Sequence, residues 1–187
     1  MHATPTLLFV PGLRDEVAEH WQTRLAARWP GARTVAPMGR EDLDGAARVA
    51  ALEREAQAIA GPLLVVAHSA GCITVVHWAQ RTRRAVQHAL LAAPPDFDTP
   101  LPEGYPTPAQ LDAAGWLPVP RERLPFAAVI GASRNDPLAR FERVAAMARD
   151  WGGELVDLGS VGHLNPASGH GEWPEGEALI RRLAAAH

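Results

Sequence analysis

Short apolar runs that alternate with longer helical patterns are the feature that most constrains this sequence. The clearest run, Leu63–Ala67, is apolar throughout, as expected of a strand that is covered on both faces. A predicted helix with little polar face follows it, from Ala70 to about Gln80. Because parallel strands need a long crossover between them, this alternation predicts a parallel sheet covered by helices.

Six strands and five main helices are predicted in this way, and the 187 residues suit one domain spanning 1–187. The predicted strands are Leu7–Val10, Thr34–Ala36, Leu63–Ala67, His88–Ala92, Phe126–Ala132 and Leu155–Leu158. The predicted helices are Val17–Trp29, Leu43–Ala60, Ala70–Gln80, Leu138–Trp151 and Glu175–Ala186. The expected fold class is therefore α/β, with a mostly parallel six-stranded sheet and helices on both faces.

One segment breaks this pattern, because nine of the 17 prolines fall within residues 94–125. Prolines at that density interrupt both helices and sheets. We predict a loop over the C-terminal edge of the sheet, with one short helix near Pro108–Gly115. The alternative is a surface excursion without a function. Residues 94–125 are called the proline-rich segment below.

Composition excludes several classes of function. A formal net charge of −3 gives no basic footprint for nucleic acid and no polybasic patch for a membrane. The single cysteine, Cys72, excludes an internal disulfide and a multi-cysteine metal site. The sequence contains no nucleotide-binding glycine motif and no H-E-x-x-H motif. We therefore expect no cofactor and no metal.

The location of the protein is also an expectation from the sequence. The apolar run Leu7–Val10 is too short for the core of a signal peptide. No run approaches the ~18 apolar residues of a membrane span. We expect a cytoplasmic protein.

A candidate nucleophile, Ser69, follows the central predicted strand and precedes a helix. This is the strand–turn–helix context of a nucleophile elbow, in which small residues are needed two positions before and two after the serine. Here these are Ala67 and Gly71, so the motif is A-x-S-x-G rather than G-x-S-x-G. The alternative is that Ser69 simply caps the helix.

A serine nucleophile needs a histidine base and an acid that orients it. Asp136 comes just after one predicted strand and His163 just after the next, in the chain order that this fold requires. Taken singly, Asp136 could be a helix cap and His163 a surface residue. Together with Ser69 they predict a Ser-His-Asp triad.

Other residues compete for these roles. Asp96 or Asp98, after the fourth strand, could supply the acid, and His170 could be the base. Asp157 is predicted to lie inside a strand. We interpret His68 as a packing residue, because it adjoins Ser69 and its side chain should point elsewhere. Cys72, three residues after Ser69 in a predicted buried helix, is interpreted as a core residue rather than a thiol nucleophile.

An oxyanion hole needs two backbone N–H donors aimed at the developing charge. Ala70, directly after the nucleophile, should supply one of them. The loop after the first strand should supply the other from Leu13, with Gly12 allowing close approach to Ser69. The alternative for Pro11-Gly12 is a plain turn.

Several motifs spread along the chain resemble those of a known family, the small single-domain serine hydrolases of the α/β-hydrolase superfamily related to retinoblastoma-binding protein nine. The motifs are Val10-Pro11-Gly12, His20-Trp21, Ala67-His68-Ser69-Ala70-Gly71-Cys72, Ala92-Ala93-Pro94-Pro95-Asp96, Ala132-Ser133-Arg134-Asn135-Asp136-Pro137, Phe141-Glu142-Arg143, Gly162-His163-Leu164-Asn165, Ser168-Gly169 and Trp173-Pro174-Glu175-Gly176. The resemblance implies a compact α/β-hydrolase core without a large cap domain. It also implies that Ser69, Asp136 and His163 are nucleophile, acid and base.

The expected activity is hydrolysis of small carboxylic esters or amides through an acyl-enzyme, a carboxylesterase-like reaction on a small-molecule substrate. The candidates for lining the substrate pocket are Gly12, His20, Trp21, Trp116 and Trp173, of which Trp21 equally fits core packing. Two alternatives remain, a non-catalytic binding protein on the same fold and an acyltransferase with the same triad. A protein partner is not indicated by the sequence.

Overall fold

Six strands form a single all-parallel sheet in the computed structural model, which describes residues 4–14, 17–36, 38–39 and 41–186. The strands are β1 (Thr6–Val10), β2 (Arg33–Thr34), β3 (Leu63–His68), β4 (His88–Ala92), β5 (Ala127–Ala132) and β6 (Glu154–Asp157). Their order across the sheet is β2-β1-β3-β4-β5-β6. The predicted α/β class and strand number are confirmed, and every pairing is parallel.

Helices cover both faces of this sheet. They are α1 (Trp21–Arg28), α2 (Gly45–Ala58), α3 (Ala70–Ala79), α4 (Pro108–Ala113), α5 (Phe141–Trp151) and α6 (Pro174–Ala185), with a 3₁₀ turn at Pro166–Ser168. Residues of α2, α3 and α5 pack on one face, and residues of α1 and α6 pack on the other. None of the helices in the described part of the chain is long and apolar enough to cross a membrane.

Two helices begin three or more residues later than their sequence patterns predict, each for a local reason. The first was expected from Val17 but begins at Trp21, because the His20 side chain accepts a hydrogen bond from the Gln22 amide and caps it. The fifth was expected from Leu138 but begins at Phe141. Asp136 accepts a hydrogen bond from the Leu138 amide, which holds a turn there instead.

Strand β3 is the buried centre of the fold. In the parallel register, Ala67 lies between Val10 of β1 and Leu91 of β4. Since all strands run the same way, the loops that follow them leave the sheet at one shared edge, where ligands of open α/β sheets bind.

The proline-rich segment does not lie wholly over that edge. Beyond α4 it packs against the face covered by α2 and α3, where Trp116 is 1% exposed and donates its indole N–H to the Leu43 carbonyl oxygen at 2.7 Å. The Leu124 amide then donates to the Trp151 carbonyl oxygen at the end of α5. The second half of the segment is therefore core packing, whereas the prediction had the whole segment over the edge.

Candidate active site

Ser69 occupies a strained turn between β3 and α3. Its φ and ψ are 56° and −132°, a region that a non-glycine residue adopts only at a cost of about 1–3 kcal/mol. The side chain makes no capping hydrogen bond to α3. The helix-cap interpretation of Ser69 is therefore not supported by its contacts.

Close packing below this turn explains the glycine two residues later. A Cβ atom on Gly71 would lie 2.3 Å from the Val10 carbonyl oxygen and 2.7 Å from that of Pro11. The first turn of α3 thus lies directly against the end of β1. The crowding comes from this neighbouring strand, which the sequence argument did not specify.

The side chains of Ser69, His163 and Asp136 come together at this edge. Nε2 of His163 lies 2.8 Å from Oγ of Ser69, and Nδ1 lies 2.8 and 3.0 Å from the two carboxylate oxygens of Asp136. Because a carboxylate only accepts, Nδ1 carries the ring proton and Nε2 is left to accept from the serine hydroxyl. The side chains of His163 and Asp136 are 7% and 3% exposed, so water does not compete for this bond.

The loops that carry Asp136 and His163 are held together by hydrogen bonds. Oδ1 of Asn135 accepts a hydrogen bond of 2.7 Å from the Gly162 amide, directly before His163. On the other side of the base, the Leu164 carbonyl oxygen accepts from the Trp21 indole at 3.1 Å. The role of Asn135 was missed in the sequence, where its only signal was its place beside Asp136.

His68 makes a second connection to the base. Its Nε2 donates to the His163 carbonyl oxygen at 2.8 Å, and its ring lies 4.7 Å from the ring of His20 and 5.0 Å from that of His163. Burial, followed by the neighbouring His163 and His20, holds the pKa of His68 well below its usual range. A neutral His68 therefore acts as a donor, a role that the packing interpretation did not include.

Two backbone amides are open beside the serine. The amides of Leu13 and Ala70 donate to no acceptor within the described residues, and both residues line the cavity above Ser69. A Cβ atom on Gly12 would lie 3.1 Å from Cβ of Ser69, so this loop passes close to the nucleophile. The positive end of α3 also favours a negative charge at this point.

The cavity above Ser69 has a volume of about 200 Å³. This is smaller than the ~300–1,000 Å³ typical of sites for drug-sized ligands. The first part of the proline-rich segment forms one wall, and its Tyr105 ring lies 4.6 Å from the Arg14 guanidinium at the opposite side. The space suits a small substrate.

The structure places two of the five predicted pocket residues at the cavity and the other three elsewhere. Gly12 and His20 line the cavity. Trp21 and Trp173 instead pack edge to face with ring centroids 4.9 Å apart, beneath the loop that carries the base. Trp116 lies in the core against Phe97. All three tryptophans are buried away from the cavity lining.

The competing acids lie elsewhere. The carboxylate of Asp96 is bound by Arg143 at 2.9 and 3.2 Å, and Asp98 is paired with the same guanidinium. Burial by itself would raise the pKa of Asp96, but hydrogen bonds and charge from Arg143 lower it overall. Asp157 pairs with Arg134 on the surface.

The remaining candidates are also outside the cavity. His170 lies beside Trp173, away from Ser69. Cys72 is buried and contacts the Ala92 carbonyl oxygen, and its burial raises the pKa of the thiol. No three His, Cys, Asp or Glu side chains of the described ranges are grouped so as to hold a metal ion.

Comparison with known proteins gives a consistent result. The model of a family described as Serine hydrolase matches residues 7–182. A solved structure described as a candidate YdeN-like hydrolase from Pectobacterium atrosepticum is 27% identical, with a TM-score of 0.83 over 97% of this chain and 91% of that one. No curated protein matches significantly.

Two more distant structures share the fold. The ydeN gene product of B. subtilis is 15% identical, with a TM-score of 0.68 over 98% of this chain and 100% of its own. The esterase domain of a Rhodothermus marinus protein is 16% identical, with a TM-score of 0.65 over 98% of this chain and 88% of its own.

Proposed function

The chain belongs to the serine hydrolase family, and from this premise we propose that it cleaves small carboxylic esters through an acyl-enzyme on Ser69. His163 is the general base and Asp136 the acid that orients it. The amides of Leu13 and Ala70 form the oxyanion hole. This proposal rests on the hydrogen bond of 2.8 Å between His163 and Ser69. A second hydrogen bond joins the same imidazole to Asp136.

The chemistry follows from these positions. Nε2 of His163 takes the hydroxyl proton as Oγ of Ser69 attacks the ester carbonyl carbon. The carbonyl oxygen becomes an oxyanion held by the two amides, and the alcohol leaves with the proton from His163. Water, activated by the same imidazole, then attacks the acyl-enzyme and releases the acid. Asp136 stabilises the imidazolium formed in each half-reaction.

The small cavity and its largely apolar wall support short acyl or alcohol groups as substrates. Residues of the proline-rich segment such as Phe97, Leu101 and Tyr105 supply part of this wall. An acyl chain can bury its apolar surface there. We expect 4-nitrophenyl esters of two to about six carbons to react faster than long-chain esters, given a cavity below the usual ligand size.

Intact mass spectrometry after incubation with a fluorophosphonate tests the proposal. The expected result is a single adduct on the wild type, no adduct on Ser69→Ala, and an adduct on the matched control Ser160→Ala, whose residue is exposed. Absence of labelling in folded wild type, together with absence of ester hydrolysis, would overturn the proposal. It would favour a binding protein that retains the hydrolase fold.

A further inference from the structure

Among the polar side chains of the cavity that the proposed mechanism does not use, one is buried and held by backbone carbonyl groups. Gln22, in the first turn of α1, is 5% exposed and lines the cavity. Its Nε2 donates to two backbone carbonyl oxygens, that of Val10 at 3.3 Å and that of Val66 at 3.1 Å. The amide group therefore bridges the ends of β1 and β3.

These two bonds fix which way the amide faces. Both partners are carbonyl oxygens, so the NH₂ group must point at them and Oε1 must point away. Within the described ranges no donor reaches Oε1. Oε1 is not among the fully buried side-chain atoms that lack a partner, so it remains accessible to water or to a ligand. Gln22 thus presents a fixed, unpaired acceptor in a lining otherwise rich in apolar groups.

A second polar group that lines the cavity belongs to His20, at the same end of α1. Nδ1 of His20 accepts from the Gln22 amide, so the neutral imidazole carries its proton on Nε2. Burial and the nearby His163 lower the pKa of His20 to about 4, which keeps the ring neutral near pH 7. His20 also lines the cavity.

The strand order places Gln22 and His20 on one side of Ser69 and the wall that follows β4 and β5 on the other. Gln22 and His20 lie at the start of α1, and Thr34 of β2 lines the cavity on the same side of β3. Pro95, Phe97 and Leu138 follow β4 and β5, on the other side of the nucleophile. Apolar Phe9, Leu13 and Val17 line the same side as Gln22, so its amide and the His20 ring are polar groups set among apolar ones.

From this arrangement we infer that the substrate is an ester bearing a hydroxyl group, which donates to Oε1 of Gln22, rather than a plain alkyl ester. A hydroxyl can donate to Gln22 and accept from His20, whereas a methyl group of the same size leaves both unpaired. The inference rests on the proposed esterase function. The hydroxyl can belong to the acyl part or to the alcohol part of the ester.

Two pairs of isosteric esters determine whether the recognised hydroxyl belongs to the acyl part or to the alcohol part. The acyl pair is 4-nitrophenyl 3-hydroxybutyrate and 4-nitrophenyl 3-methylbutyrate, and the alcohol pair is 2-hydroxyethyl butyrate and propyl butyrate. Each rate is divided by the rate of alkaline hydrolysis, which removes intrinsic reactivity. In one pair we expect the wild-type kcat/KM to favour the hydroxylated ester about 10- to 100-fold, because a site built around a hydrogen bond rejects the analogue that lacks it.

The variant Gln22→Met keeps the volume and removes the acceptor, with exposed Gln57→Met as the control. The selectivity ratio should fall to near one in Gln22→Met and stay at the wild-type value in the control. If Gln22 only braces the strands, both esters of a pair will slow equally and the ratio will not change, which overturns the inference.

If Gln22→Met does not fold, the rates of the wild type on the two ester pairs still test whether a hydroxyl is recognised. Equal corrected rates within both pairs would mean that no hydroxyl is recognised and would overturn the inference while leaving the esterase proposal intact. Failure of the esterase proposal has a different outcome, because none of the four esters would then be cleaved and Ser69 would not be labelled.

Discussion

The imidazole of His68 donates a hydrogen bond of 2.8 Å to the backbone carbonyl oxygen of His163. The residue directly before the proposed nucleophile therefore holds the loop that carries the proposed base. Since Ser69 and His163 are 94 residues apart in the chain, their approach depends on contacts of this kind between loops. We therefore expect His68 to be a positioning residue, since its only hydrogen bond to the proposed triad is to the backbone of His163.

Replacing His68 by leucine should lower kcat about 10- to 100-fold, since the base loop would lose its donor while a buried carbonyl was left unpaired at a cost of about 1–3 kcal/mol. Glutamine can place an Nε2 donor at a similar reach, so His68→Gln should recover most of kcat. Kinetics well below each variant's Tm provide the measurement. An unchanged kcat in His68→Leu, with only Tm lowered, would contradict the positioning role.

Removing the charge of Asp136 should lower kcat strongly, although asparagine has nearly the same shape. In Asp136→Asn the amide can still accept from the Leu138 amide, so the turn should persist. The imidazole would be held in the wrong tautomer, and kcat should fall about 10⁴-fold. Steady-state kinetics check this, with circular dichroism to verify folding. A loss below tenfold would mean that Asp136 is not the acid.

The free energy of unfolding should depend on pH through His20. Its pKa is about 4 in the folded protein, lowered mainly by burial, against 6.5 when unfolded. As pH falls, the unfolded state binds the proton first, so stability should be unaffected above about pH 6.5 and decline below it, by up to about 1.4 kcal/mol per pH unit. Buried His68 adds to the same decline.

The variant His20→Asn isolates the His20 contribution, because asparagine also caps helices well. Urea unfolding at several values between pH 4 and 8 should give a shallower decline below pH 6.5 than in the wild type. Parallel curves for the two proteins would show that His20 is not protonated on unfolding in this range.

The ion pair between Arg143 and Asp96 should anchor the start of the proline-rich segment. The Asp96 side chain is 2% exposed, so Arg143→Met would leave a buried carboxylate without its guanidinium. Because Arg143 is itself partly exposed, we expect a loss of about 2–3 kcal/mol, below that of a fully buried pair. KM should rise as well, since the neighbouring Phe97 forms part of the cavity wall.

The double variant Asp96→Asn with Arg143→Met supplies the control for charge. It should recover much of the lost stability, because the uncompensated carboxylate is then absent. Chemical denaturation of the two single variants and the double variant forms a cycle. If the double variant is as unstable as the sum of the single variants, the pair contributes no coupling.

Gly71→Ala should disrupt both the fold and the site. The new methyl would meet backbone oxygens of Val10 and Pro11, which cannot turn away as a flexible side chain could. We expect a loss of at least about 3 kcal/mol, at the upper end of overpacking effects. The displaced loop carries Leu13, so kcat should fall too. Ala79→Gly, at the other end of α3, should cost only about 1 kcal/mol and leave kcat unchanged.

The sequence by itself determined where the strands lie along the chain and which candidate site residues follow them. Apolar runs of strand length are readable because burial on both faces requires them to be apolar throughout, as in Leu63–Ala67. Once the strands are located, parallel pairing sends Ser69, Asp136 and His163 to one edge, whatever the details of the loops. This is why the fold class and the three candidate side chains could be predicted before any contact was known, whereas the family was predicted from the resemblance of its motifs.

Only the tertiary structure decided which buried polar and aromatic residues face the cavity. No sequence signal shows whether Trp116 or Gln22 lines the cavity or packs in the core. The direction of each side chain depends on a neighbour that is distant in the chain, which is Leu43 for Trp116 and Val66 for Gln22. The same holds for His68, whose acceptor lies 95 residues away. Local periodicity determines where strands and helices form, whereas the pairing of buried polar atoms is fixed by the packed fold.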